Sequence, residues 1–132
     1  MHLKATTDYA VNIVLFLALK KDYINSHTIS TEMGISHGCV YKVAKGLKEA
    51  GIIDEKHGLH GGYRLKKDPS EVTLLEIVEK FEKTIDINHQ LDTHEECCKN
   101  NEAYLKVRGV LGSVQSVIGK MINVSITEFL GV

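Results

Sequence analysis

The stretch NSHTISTEMGISHGCVYKVAKGLKEAGIIDEKHGLHGGYRLK, residues 25–66, decides the fold. Asn25 and Ser26 offer N-cap side chains, residues 27–33 follow as a short helical run, and Gly34 ends it with the freedom a helix terminus needs. Ser36 is a second N-cap residue. The helix it opens spans about residues 37–50 and stops at Gly51, and its stripe of Val40, Val43, Ala44 and Leu47 has helical spacing. Two short helices joined by a tight turn containing glycine form a helix-turn-helix, with Ile29, Met33, Ile35, Val40, Val43 and Leu47 as its small core. Residues 52–56 then read as a strand, 57–61 as a turn with Gly58 and Gly61, and 62–66 as a return strand. A β-hairpin placed directly behind the second helix makes this a winged helix rather than a plain α+β domain.

Upstream, residues 3–19 are apolar on nearly every face, from Leu3 through Tyr9, Ile13, Val14 and Phe16 to Leu19. A helix apolar all round is buried all round, so it is expected to pack on its own domain and on a second chain. Downstream, Asp68-Pro69 breaks the chain. Thr73-Leu74-Leu75-Glu76 is a capping box for a helix to about Lys83, with Leu74, Leu75, Ile77, Val78 and Phe81 turned inward. Residues 84–101 have no period. From Glu102 to about Asn123 a long helix carries Tyr104, Val107, Leu111, Val114, Ile118 and Met121 in heptad-like spacing, with Val110, Val117 and Val124 beside them. Gly109, Gly112 and Gly119 each cost this helix about 1 kcal/mol against Ala, a cost that close approach at a helix crossing would offset. Ser125-Ile126-Thr127-Glu128 is a further capping box, opening a last turn.

The expected protein is mostly α with a small β-hairpin: a winged-helix DNA-binding domain over 1–83, a sensor or effector loop over 84–101, and a dimerisation helix with a terminal turn over 102–132. Its 132 residues suit one domain. The longest apolar run, residues 13–19, is far short of the roughly 20 residues of a membrane span. Asp8 before that run, Lys20-Lys21 after it and the lack of a small-x-small cleavage site argue against a signal peptide, and the expected location is the cytoplasm. Three cysteines, Cys39, Cys97 and Cys98, make no disulfide framework. The motifs of common nucleophilic, nucleotide-binding and zinc-protease sites are missing from the sequence, so an enzyme is not expected.

The net charge of −1 conceals a split. Residues 1–67 hold ten Lys/Arg against six Asp/Glu, or +4, and residues 68–132 hold six against eleven, or −5. The basic half suits double-stranded DNA. In a winged helix the second helix of the turn enters the major groove. With Val40, Val43 and Leu47 facing inward, His37, Gly38, Tyr41, Lys42 and Lys45 face outward, Ser36 and the first helical N–H groups can meet a phosphate, and Lys48 adds charge. The hairpin tip offers His57 and His60 to a minor groove or a phosphate.

Longer motifs point the same way: Met1, Leu3, Thr7, Asp8, Tyr9 and Ala10 at the start, Gly34-Ile35-Ser36 with Val40-Tyr41-Lys42-Val43, Leu47 with Ala50-Gly51-Ile52-Ile53, Gly61-Gly62-Tyr63 with Leu65, and residues 125–130 near the end. In these the chain resembles the Rrf family of bacterial winged-helix transcriptional regulators (the IscR, NsrR and CymR group) over nearly its whole length. The resemblance implies a homodimer, a palindromic operator and repression, sometimes activation. Two departures stand out. His57 occupies a wing position that often holds Arg in the family and is a weaker, pH-dependent donor. Cluster-binding members carry three spaced cysteines where this chain has Cys97 and Cys98 alone.

The resemblance also matches Asp8 to a cluster ligand of some nitric-oxide-sensing relatives, reached from the partner subunit, and His89 and His94 are further ligand types. Three readings of the sensor stand side by side: an iron–sulfur cluster on Cys97, Cys98, Asp8 and a histidine; a cluster-free thiol sensor; and no sensor chemistry in these residues. Zinc on His89, His94, Cys97 and Cys98 suits the donors but matches no common spacing. Glu95 and Glu96 beside the thiols blunt their reactivity, Asp8 is also a plain first-turn acid, and Cys39 fits a small core residue. A different class of reading is a protein-interaction module controlled by a partner enzyme or a small ligand, suggested by the acidic second half and the His57 wing.

Overall fold

Capping and apolar spacing produce the elements where the chain's local chemistry puts them. The structure, a computed structural model, describes residues 3–82 and 102–131. Helices α1 (Ala5–Lys20), α2 (Ser26–Met33) and α3 (His37–Glu49) are followed by β1 (Ile53–Lys56) and β2 (Gly62–Leu65). A 3₁₀ turn (Pro69–Glu71), α4 (Leu74–Phe81), the long α5 (Glu102–Ile122) and a second 3₁₀ turn (Ile126–Phe129) complete the described chain. Asn25, Ser36 and Thr73 each accept a hydrogen bond from the backbone N–H three residues on, at 2.7, 3.2 and 3.1 Å, so the caps read from the sequence form. Gly34 closes α2 with φ +66°, and Gly51 follows α3 with φ +73°. The fold is the expected mostly helical winged helix with a two-stranded antiparallel hairpin and a long C-terminal helix.

One core joins α1 to the helix-turn-helix and the hairpin. Ala10, Ile13, Val14 and Leu17 of α1 pack with Ile29, Val40, Val43, Leu47, Ile52, Ile53, Tyr63, Val72, Ile77 and Ile126. Leu3, Tyr9 and Leu19 remain exposed around α1 within a single chain. Gly46 lets α3 meet α4 closely: a Cβ there would stand 2.8 Å from two ring carbons of Phe81.

The α4 helix stops at Phe81, short of the expected Lys83, which lies outside the described residues. Glu82 turns extended (φ −105°, ψ 101°) and buries its carboxylate under the start of α1. There Oε1 accepts from the Lys4 backbone N–H at 2.6 Å and from the Thr7 hydroxyl at 2.7 Å. The N-cap residue Lys4 makes no side-chain cap bond, so Glu82 supplies an acceptor from across the fold.

The hairpin pairs Ile53 with Leu65 and Lys56 with Gly62. Ile24 adds a single strand position beside β2, exchanging backbone hydrogen bonds with Tyr63 at 2.9 and 2.8 Å. Gly62, at φ +150°, is required here because a Cβ would run into the backbone of Ile24 and Asn25. The end of the chain returns to the same domain. Leu74 N–H donates to the Val124 carbonyl and Ile126 N–H to the Val72 carbonyl, both at 2.9 Å, and the Ile126 side chain is buried. Ser125 departs from the expected capping box: its hydroxyl donates to the Pro69 carbonyl and accepts from Thr127 N–H at 3.3 Å, which makes the last turn 3₁₀.

No described side chain of α5 is buried within one chain. Val107, Val110, Val114 and Val117 are between 43% and 64% exposed and Met121 is 72% exposed, while Leu111 and Ile118 are half-buried. A Cβ at Gly109 or Gly119 would meet nothing within 4 Å, so among the described residues of a single chain these glycines sit at no close crossing.

Candidate nucleic-acid interface

The face of α3 opposite its buried stripe is open. Ser36, His37, Gly38, Tyr41, Lys42 and Lys45 are all exposed there. Their placement follows from helical spacing: Val40, Val43, Ala44 and Leu47 are buried, and the residues between them are turned out. The Ser36 hydroxyl accepts from Cys39 N–H and still has a proton to donate. Gly38 has open space around its Cβ direction, with only Ser36 Oγ at 4.0 Å, so the fold does not demand glycine there. Its lack of a side chain leaves the first helical turn approachable.

The neighbouring α2 contributes residues that the sequence did not single out. The rings of His27 and His37 stack with centroids 5.6 Å apart, and Ser26 Oγ lies 3.4 Å from Tyr41 Oη. The start of α2 therefore flanks the start of α3, and its short polar and aromatic side chains widen the exposed face. The two N-caps eleven residues apart mark both helix starts, but only the tertiary crossing shows that they adjoin.

The lysines of α3 differ in their surroundings. Lys42 and Lys45 make no ion pair with the described residues, whereas Lys48 donates to Glu55 of β1 at 2.6 Å. Lys48 thus braces the wing against α3 instead of adding to the outward charge. At the far end of α3, Glu49 is hydrogen-bonded by Lys80 of α4, which holds its carboxyl below the usual 4.5, with Lys45 a lesser contributor.

His57 and His60 both sit exposed at the hairpin tip. His57 Nδ1 is 3.5 Å from Glu55 Oε1, so the acid that holds Lys48 also neighbours the wing histidine. Between the two histidines Leu59 is 96% exposed, an apolar apex that sequence reading passed over because a hairpin tip has no periodicity to break. Tyr63 anchors the hairpin from beneath. Burial pushes its phenol above the usual 10, and the nearby Glu55 and Tyr41 push the same way.

Asp8 is exposed in the first turn of α1, beside the buried Thr7. Cys39 is half-buried against the core, in keeping with its reading as a small packing residue. His89, His94, Cys97 and Cys98 lie outside the described residues. Glu55 links the two parts, holding Lys48 of α3 and lying beside His57 at the hairpin tip, while Asp8 sits on a separate helix.

Comparison with known proteins supplies the context. The Rrf2 family model, described as an iron-dependent transcriptional regulator, matches residues 3–128. The HTH-type transcriptional regulator NsrR of Halalkalibacterium halodurans is 34% identical over 117 residues, 84% of this chain and 77% of that protein. Among solved structures, T. potens IscR superposes with a TM-score of 0.76 at 16% identity, over 98% of this chain and 86% of that one. CymR, the global cysteine regulator of B. subtilis, superposes with a TM-score of 0.66 at 19% identity, over 98% of this chain and 96% of that one. The two structural likenesses show the shared fold.

Proposed function

Because this chain belongs to the Rrf2 family of transcriptional regulators, we propose that it acts as a homodimeric, sequence-specific repressor that reads a palindromic operator with α3 and the wing. It is a regulator and not an enzyme. The observation that carries the DNA reading is the open face of α3, where His37, Tyr41, Lys42 and Lys45 stand exposed over a fully packed opposite face. Lys42 and Lys45, which make no ion pair with the described residues, supply phosphate contacts, and residues near the helix start meet base edges. The wing tip with His57 and His60 extends the contact to the adjoining groove.

The dimer reading rests on α5. Its valines and Met121 form an exposed apolar face that the described residues do not cover, and such a face suits a matching helix of a second copy. A two-fold dimer presents two α3 helices, and two-fold symmetry in the protein calls for a palindrome in the DNA. Among the described residues no helix is long and apolar enough to cross a membrane, and a DNA-reading regulator works in the cytoplasm.

The signal is received in residues 84–101, around Cys97 and Cys98. The donors do not fit an ordinary iron–sulfur cluster, which takes four protein ligands, mostly thiolate. The segment holds two adjacent cysteines, and the third, Cys39, packs against the core in α3. What the segment itself offers is a thiol pair with His89 and His94 nearby in sequence.

The test is substitution of Tyr41, Lys42 and Lys45 together by Ala. Operator binding is expected to be lost while thermal unfolding is unchanged, since all three side chains are exposed. Two lysine contacts per subunit make about four per dimer, so for the residual, sequence-independent duplex binding the slope of log K against log salt falls by roughly 3.6. Unaltered binding overturns the assignment of the reading face.

A further inference from the structure

We propose that Tyr23, in the loop before α2, is a positioning residue of the DNA interface. Its ring gathers Lys56 and Arg64 on the outer face of the wing into a clamp for backbone phosphates. This inference rests on the DNA reading above and adds residues that the α3 face and the wing tip do not include.

Strand register builds the cluster. Ile24 pairs with Tyr63, and Asp54 pairs with Arg64. Antiparallel counting then sets Tyr23 opposite Arg64, so Tyr23, Arg64 and Asp54 form one row across the hairpin. Side chains alternate along a strand. Ile53 and Tyr63 are buried on the inner face, which leaves Asp54, Lys56 and Arg64 on the outer one. The side chains complete what the register begins. The Arg64 guanidinium lies 4.4 Å from the Tyr23 ring centroid and Lys56 Nζ lies 5.7 Å from it. Tyr23 Oη donates to Asp54 Oδ2 at 3.2 Å, which fixes the ring against the row.

Two cations on one ring repel each other, and the ring's negative face offsets that repulsion. Asp54 sets one negative charge in the row against two cations and, among the described residues, forms an ion pair with neither, so the row keeps a positive excess. A guanidinium stacked on a ring still has N–H donors at its edge, in the planar fork that suits a phosphate. The hairpin does not need this cluster as an attachment. The Ile24–Tyr63 hydrogen bonds, the close approach at Gly62, the buried Tyr63 ring and the Lys48–Glu55 pair already hold it. Lys56 is the last residue of β1, next to His57 at the tip, which places the clamp beside the groove that the wing enters.

The experiment measures binding of the full chain to a fluorescein-labelled, mixed-sequence DNA duplex across a salt series, because phosphate contacts act on any sequence. Arg64→Ala and Lys56→Ala are each expected to lower the salt slope by about 2 per dimer, at roughly 0.9 for each phosphate no longer neutralised in each of two subunits. Tyr23→Leu is expected to weaken binding roughly tenfold at low salt, because two long side chains must then be ordered on binding. Tyr23→Phe keeps the ring and loses only its hydrogen bond to Asp54, so it is expected to bind much closer to wild type than Tyr23→Leu. A purely structural role predicts instead a lower urea midpoint with an unchanged slope. Should Tyr23→Leu fail to fold, the two cation variants decide the matter, since both leave the ring in place. Wild-type slopes for both cation variants overturn the clamp alone, as does full affinity in a folded Tyr23→Leu. A wild-type chain that binds no duplex overturns the DNA reading and the clamp with it.

Discussion

Replacing Gly62 by Ala tests how the wing is joined to the helix-turn-helix. The residue sits at φ +150°, a region essentially reserved for glycine, and an alanine forced into it costs about 1–3 kcal/mol. Space is a second charge against it. The new Cβ would stand 2.7 Å from Asn25 N and still closer to the Ile24 carbonyl, both rigid backbone. Relief requires the Ile24 segment to leave β2, which breaks the two Ile24–Tyr63 hydrogen bonds at 2.9 and 2.8 Å. Each is worth about 0.5–1.5 kcal/mol net, so the total reaches roughly 2–6 kcal/mol, a large part of the 5–15 kcal/mol that holds a domain together. Gly58→Ala is the control. It also has positive φ, at +110°, but nothing lies within 4 Å of its Cβ, so only the backbone cost applies. Urea unfolding followed by circular dichroism compares the two. Gly62→Ala is expected to be the less stable variant by about 1–3 kcal/mol, with the lower midpoint. Equal midpoints for the two variants refute the claim that the wing is bound to the entry of α2 by this close approach.

Other consequences are open to measurement. Ile126→Ala empties a fully buried site under the last turn and is expected to cost about 2–5 kcal/mol in a denaturation curve, although the residue lies beyond the long helix. A loss below about 1 kcal/mol would mean the terminal turn is not part of the core. The raised Tyr63 phenol gives an alkaline dependence: the unfolded chain ionises first, near 10, while the folded one keeps its proton. Stability is therefore complete below pH 10 and is lost as pH climbs through the raised folded value, and Tyr63→Phe is expected to flatten this part of the profile. On α5, Val110→Glu with Val117→Glu is expected to shift sedimentation from dimer to monomer, since both side chains lie on the open face; an unchanged dimer would move the interface elsewhere.

The parts of the fold that were legible in the sequence are those whose signals are short. A cap is read within three residues, and Asn25, Ser36 and Thr73 all cap as expected. The stripe on α3 declares both its buried side and its outward side, so the exposed positions of the proposed reading face followed from spacing. What escaped notice depends on distant pairings. Glu82 ends α4 because its carboxylate is taken up by Lys4 and Thr7, more than seventy residues away in sequence. Lys48 looked like one more outward lysine until the direction of the hairpin brought Glu55 to it. Tyr23 gained meaning only from the pairing of Ile24 with Tyr63, and no local pattern announces a single bridge position. Glycine readings divided in the same way: Gly34 and Gly51 mark helix ends as expected, while Gly109 and Gly119 find no crossing among the described residues of one chain.

The most direct test of the central claim is selection of duplex DNA from a random-sequence library by the purified chain, repeated with the Tyr41→Ala, Lys42→Ala, Lys45→Ala triple variant. The predicted result is a palindromic sequence whose half-sites lie about one helical turn, roughly 10–10.5 base pairs, apart or a multiple of it, enriched by the wild type and not by the variant. Failure of the wild type to enrich any sequence, or enrichment of the same sequence by both proteins, would contradict the account.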